Sequence, residues 1–161
     1  MKALITNSKV DLSDVGLHYP ERLGHLNRIV GLVSEFVSLP SCKVEIWDEV
    51  GGGCHGSYTP YDRLIKLWSK APCLGLTLVH ELSHSLMRLG PSEWDKWGGD
   101  KYLSDGEELF ARAMSQWICI KTGDKTLGMQ LEDVRNFHWT DSEFENLGIR
   151  RWFDEDDWGS C

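Results

Sequence analysis

Residues able to hold a metal ion meet at one place in this chain, His80-Glu81-Leu82-Ser83-His84, which has the form H-E-x-x-H. The surrounding segment reads as a helix on separate grounds. Pro72 precedes it, where a first turn tolerates proline, and Gly90-Pro91 supplies a stop. Leu78, Val79, Leu82, Leu86 and Leu89 recur at helical spacing and should form a buried stripe. Side chains four apart on a helix lie one above the other, so the imidazoles of His80 and His84 project together beside that stripe. Two neutral imidazoles so placed suit one zinc ion, and Glu81, next on the turn, can reach a water on the ion's open side. Burying these three groups in the most apolar part of the chain would be costly without a partner. A metal removes that cost.

Catalytic zinc sites use three protein ligands and keep one position open, so a third donor is needed. In the metzincin arrangement a glycine follows the second histidine by three residues and a third histidine follows by six. Those places hold Met87 and Gly90, which excludes it. The other source is a glutamate on a following helix. Ser104-Asp105-Gly106-Glu107 fits the capping box S-x-x-E, with Ser104 as N-cap. The helix it opens runs from Glu107 to about Lys121 and packs through Leu109, Phe110, Ala113, Met114 and Trp117, with Gly123 as its stop. Glu107 and Glu108 both stand at its start.

At Glu108-Leu109-Phe110-Ala111 the sequence resembles the gluzincins, whose third ligand sits in an E-x-x-A-like context on the second helix. The resemblance implies His80, His84 and Glu108 as ligands of Zn²⁺, with Ala111 small enough to let the two helices approach. The capping box gives a separate reason to prefer Glu108, because Glu107 would turn back to the Ser104 backbone. Glu107 stays as the alternative, and the loop carboxylates Glu93, Asp95 and Asp100 are poorer candidates.

The likeness spans roughly residues 57 to 118. It implies a zincin-like α+β domain, with a small antiparallel or mixed sheet packed against the H-E-x-x-H helix and the glutamate-bearing helix. It also implies a zinc metallopeptidase acting on a peptide or protein, with Glu81 as general base. Tyr102, Arg112 and His138 are candidate oxyanion donors. A competing reading is a non-catalytic zincin-fold binding or structural module that keeps its metal. The run Glu108 to Trp117 is similar to helices in phage- and prophage-encoded polyvalent proteins. Small size favours that module; an intact Glu81 opposes it.

The remaining elements must position these residues. Glu21 to Leu39 is an amphipathic helix with Leu23, Leu26, Ile29, Val30, Val33 and Val37 on one face, ended by Pro40. Lys43 to Trp47 alternates as a strand, Gly56-Ser57-Tyr58 and Arg63 to Trp68 read as a hairpin about Thr59-Pro60-Tyr61-Asp62, and Ala3 to Thr6 could begin another strand. Gly51-Gly52-Gly53 lacks the form of a phosphate loop and reads as a turn, and Cys54-His55 beside it as ordinary loop. Short helices follow near 127–137 and 141–147. The acidic run Asp154-Glu155-Asp156-Asp157 reads as a solvated end.

At 161 residues the chain is expected to form a single domain, 1–161, with eight tryptophans to bury. The net charge of -8 argues against a nucleic-acid or anionic-membrane surface. Five scattered cysteines without a C-x-x-C suit a reducing compartment rather than a disulfide framework. The apolar start, Met1 to Thr6, is too short for a signal peptide, and no apolar run approaches a membrane span. The expected location is the cytoplasm.

Overall fold

The computed structural model describes residues 9–49, 54–87, 96–97 and 106–158. Among these the chain is α+β, with seven α-helices and one small mixed sheet. The strands are β1 (Val10–Asp11), β2 (Cys42–Trp47), β3 (Gly56–Thr59) and β4 (Leu64–Trp68), in the order β1-β2-β4-β3. β1 and β4 both run parallel to β2, whereas β3 turns back antiparallel on β4. The expected hairpin is therefore present, but its second strand inserts beside β2 and leaves β3 on the edge. Alternation explains which faces are covered. Cys42, Val44 and Ile46 are buried along β2, as are Ile65 and Leu67 along β4.

The helices are α1 (Ser13–His18), α2 (Pro20–Ser34), α3 (Leu74–His84), α4 (Gly106–Thr122), α5 (Lys125–Asp133), α6 (Asp141–Asn146) and α7 (Ile149–Glu155). A 3-10 turn, Arg135–Phe137, follows α5. α3 packs against α2, α4, β3 and β4, which puts the H-E-x-x-H segment between the sheet edge and the glutamate helix. No helix among the described residues is long and apolar enough to cross a membrane.

Two helices end sooner than their hydrophobic stripes suggest. α2 closes at Ser34, and the chain tightens through Glu35 N–H to Leu32 O and Phe36 N–H to Val33 O while Val37 stays buried. The residue before Pro40 is pushed out of the helical region, so the last apolar positions pack from a turn. α3 closes at His84, because Ser85 Oγ bonds the Leu82 carbonyl and Leu86 N–H bonds Ser83 O at 2.9 Å. Leu78, Val79 and Leu82 of the expected stripe are buried, and Leu86 is half-buried. α4 ends as expected, with Gly123 in the left-handed region at φ 61 and its N–H on Cys119 O. The Ala3 strand, the glycine triplet, the Gly90-Pro91 stop, Leu89 and the Ser104 cap lie outside the described residues.

The C-terminal region adds a helix that the sequence did not announce. The acidic run is exposed, as expected, but it closes α7, which buries Ile149 and Phe153, and Trp158 behind it is 3% exposed. Asp154 accepts from Trp117 Nε1 at 2.9 Å and pairs with Lys121, so its carboxylate anchors α7 to α4. Phe153 stacks on Trp117 and Trp158, and Trp97 meets Trp152 edge-on at 5.3 Å between centroids. These rings form an aromatic cluster with Phe110 and Trp117 of α4.

Candidate metal centre

The helical placement of His80 and His84 brings their rings to 4.9 Å between centroids, at 81° to one another. The Glu108 carboxylate at the start of α4 lies against both. Its Oε2 is 3.1 Å from His80 Nε2 and its Oε1 is 2.9 Å from His84 Nε2. Ala111, the small residue expected to admit a close helix approach, is fully buried, and α3 and α4 are in contact. Glu107 is exposed and takes no part in these bonds.

Glu81 is a second carboxylate within reach. Its Oε2 is 3.9 Å from His84 Nε2, and donor atoms of His80, Glu81 and His84 all lie within 4.8 Å of one another. Glu81 is 6% exposed, wedged against β3, whereas the Glu108 side chain is 35% exposed. A Cβ on Gly56 would stand 3.1 Å from Glu81 Cγ and 2.8 Å from Thr77 Cγ2, so only glycine lets the edge strand pass this close. Of the two, Glu108 is the better-placed donor, since it touches both imidazoles. Glu81 stands to one side.

These residues fit a zinc ion. Two imidazole nitrogens and a carboxylate oxygen are its usual donors, and ligand atoms around one tetrahedral ion stand roughly 3.4 Å apart. The observed spacings of 2.9 and 3.1 Å need only a small opening. Hydrogen bonds from His80 and His84 hold the Glu108 carboxyl well below the usual carboxylate range, so it offers a charged oxygen. Burial opposes charge on His84, but the Glu108 bond and the fields of Glu81, Glu108 and Glu107 outweigh it and raise its pKa. Burial raises Glu81 as well, against the pull of the two histidines.

A cavity of about 500 Å³ opens beside these groups. His80, Glu81, Glu108, Arg112, Phe137 and His138 are among the residues that line it. Comparison with protein-family models, curated proteins and solved structures finds no match to this chain. The centre is read from its own geometry. Of the candidate oxyanion donors, Arg112 and His138 reach the cavity, with the Arg112 guanidinium 5.1 Å over the Phe137 ring. Tyr102, Glu93, Asp95 and Asp100 lie outside the described residues. Cys54 and His55 also border the cavity, but His55 stacks on Trp68 at 5.7 Å and joins no group of metal donors among the described residues.

Sequence reasoning missed two residues that shape the cavity. Gly56 has no local signal. Gln116, fully buried, clamps the backbone beside His138: its Nε2 donates to Trp139 O at 2.8 Å and its Oε1 accepts from Trp139 N–H at 3.1 Å. A polar residue amid the apolar stripe of α4 was the one available hint.

Proposed function

We propose that this chain is a zinc-dependent peptidase of zincin type, in which His80, His84 and Glu108 hold Zn²⁺ and Glu81 is the general base. The observation that carries the reading is the Glu108 carboxylate set between two imidazoles of an H-E-x-x-H helix, with Glu81 buried alongside and outside that contact. The resemblance of the motif and of Glu108-Leu109-Phe110-Ala111 to the gluzincins points the same way.

Zinc bound there supplies a Lewis acid that polarises a carbonyl and brings the pKa of a water towards neutrality. The chain's own residues supply the rest. Glu81, buried against Gly56, takes the proton of the attacking water and delivers it to the leaving amine. β3, the exposed sheet edge beside the cavity, offers backbone groups along which an extended peptide can align. The cavity beyond α3 receives the flanking part of that peptide.

Elemental analysis joined to a peptide-library digest tests the reading. Protein purified without chelator is expected to contain about one zinc per chain and to cleave. Glu81→Gln keeps the shape and the metal but cannot accept a proton, and its cleavage is expected to fall by roughly 10²–10⁴-fold. Absence of zinc uptake, or equal cleavage by Glu81→Gln, sinks the mechanism. Bound zinc with no cleavage by the wild type would mark a binding module instead.

A further inference from the structure

Arg112 stands four residues after Glu108, on the same face of α4 and one turn further along. The helical rise carries its backbone roughly 6 Å from that of Glu108 along the axis. Its side chain lines the same cavity as His80, Glu81 and Glu108. Among the described residues that line the cavity, Arg112 is the one whose positive charge does not titrate. Leu76, Val134 and Phe137 line it too, and beside apolar groups a charge pulls on an opposite charge more strongly than in water.

The guanidinium is restrained before anything binds. It lies 5.1 Å over the Phe137 ring, a cation–π contact. Nη1 is buried, so contact with a ligand falls to Nε and Nη2. Those two nitrogens form one edge of the arginine fork, which matches the paired oxygens of a carboxylate. Burial lowers the pKa of His138, the bond to the Val134 carbonyl opposes this, and the Arg112 charge lowers it further, so that charge acts on this wall. Arg112 also has a further contact within the protein. A guanidinium carries five N–H donors and can serve that contact and a ligand together.

We propose that Arg112 sets specificity by binding, through Nε and Nη2, a carboxylate of a peptide held in this cavity. The carboxylate is an acidic side chain or the free C-terminus. It lies one or two residues from the carbonyl set at the histidines, since each residue of extended chain spans about 3.3–3.6 Å. That the ligand is a substrate rests on the peptidase reading; the anion site does not. An oxyanion contact would serve every peptide alike, so the preference for acid over amide separates the two roles.

The test uses zinc-loaded protein and two-residue peptide hydroxamates, which anchor on the metal. They are made in four forms, with glutamate or glutamine as side chain and a free acid or an amide at the C-terminus. One of the two carboxylates is expected to tighten binding to the wild type by roughly tenfold or more over its amide. A glutamate effect assigns the side chain, and a C-terminal effect assigns the chain end. Arg112→Met, which keeps the stem without the charge, should bind acid and amide alike. Arg112→Lys, which keeps the charge without the fork, should restore part of the preference. Zinc content and thermal unfolding check that the variants fold, and the wild-type comparison needs neither. The same peptides, acetylated in place of the hydroxamate, are titrated into zinc-free protein while the Arg112 Nε–H resonance is followed by NMR. That resonance is expected to shift with the acid form and not with its amide. Equal binding of acid and amide by the wild type, or a preference that survives in Arg112→Met, overturns the proposal. Hydroxamates that fail to bind would sink the metal reading, and the NMR titration then decides this one: no acid-specific shift overturns it. An acid preference in a protein that cleaves no peptide would sink the peptidase reading and spare the anion site.

Discussion

Glu108 Oε1 lies 2.9 Å from His84 Nε2, and that contact closes α4 onto the end of α3. Two helices formed by separate stretches of chain thereby present three donors to one point. Glu108→Ala is expected to lose most of the zinc affinity, measured by chelator competition. Glu107 is exposed and outside the cluster, so Glu107→Ala should keep its zinc. The reverse pattern would move the ligand one residue back and require α4 to rotate.

Gly56 gives a sharper test of how Glu81 is held. A methyl group there meets Thr77 Cγ2 at 2.8 Å and Glu81 Cγ at 3.1 Å, and Thr77 is tied by its hydroxyl to Cys73 O. Glu81 is the side chain that can give way. Gly56→Ala is therefore expected to retain zinc while peptide cleavage falls by roughly tenfold or more, since misplacing a catalytic group by about 1 Å can cost a hundredfold. Unchanged cleavage would show that Glu81 needs no backing from β3.

The parts of this site legible in the sequence are those set within one helix. The four-residue spacing of His80 and His84 fixes their juxtaposition without reference to the rest of the chain, and the stripe at Leu78, Val79 and Leu82 fixes which side is buried. Glu108 required knowing that a second helix returns to the first. No periodicity in α4 says so, and only the likeness to the gluzincins did. Gly56 and His138 act through tertiary contacts, so their local surroundings read only as the start of a strand and a connection between helices. β2 and β4 were visible from alternation, but not β1 or that β4 would insert parallel to β2, because an alternating pattern names a face and not a neighbour. α7 was hidden for a different reason. It begins at Gly148 in the left-handed region, without the side-chain cap that Thr140 and Glu143 give α6, and its acidic end masks the apolar spacing of Ile149, Trp152 and Phe153.

Gln116 joins the core to the cavity wall, and its loss should be felt in stability first. Gln116→Leu keeps the volume but removes two buried hydrogen bonds to Trp139 at once, although Arg135 still donates to the Trp139 carbonyl at 3.2 Å. The expected cost is about 1–3 kcal/mol by urea unfolding. Zinc affinity should change little, because none of the three proposed ligands is among the hydrogen-bond partners of Gln116. A variant as stable as the wild type would show that the 3-10 turn is held by its flanking bonds alone.

His138 also gives a pH dependence whose sign follows from its burial. The folded ring titrates near 4, against about 6.5 for a free imidazole. As pH falls from about 6.5 to about 4, the unfolded chain takes up a proton here that the folded protein does not. Stability from this residue is therefore complete above that window and is lost on acidification through it, by roughly 3 kcal/mol in all. Glu108 and His84 titrate too, so the clean measurement is a difference. Urea unfolding of zinc-free wild type and His138→Phe, each at pH 7 and pH 5, should show the wild type losing about 2 kcal/mol more than the variant. The Val134 carbonyl keeps the Phe137 N–H but loses the ring N–H in the variant at both pH values, and that constant drops out of the comparison. Parallel losses in the two proteins would mean that the ring takes up its proton as readily in the fold as in the unfolded chain.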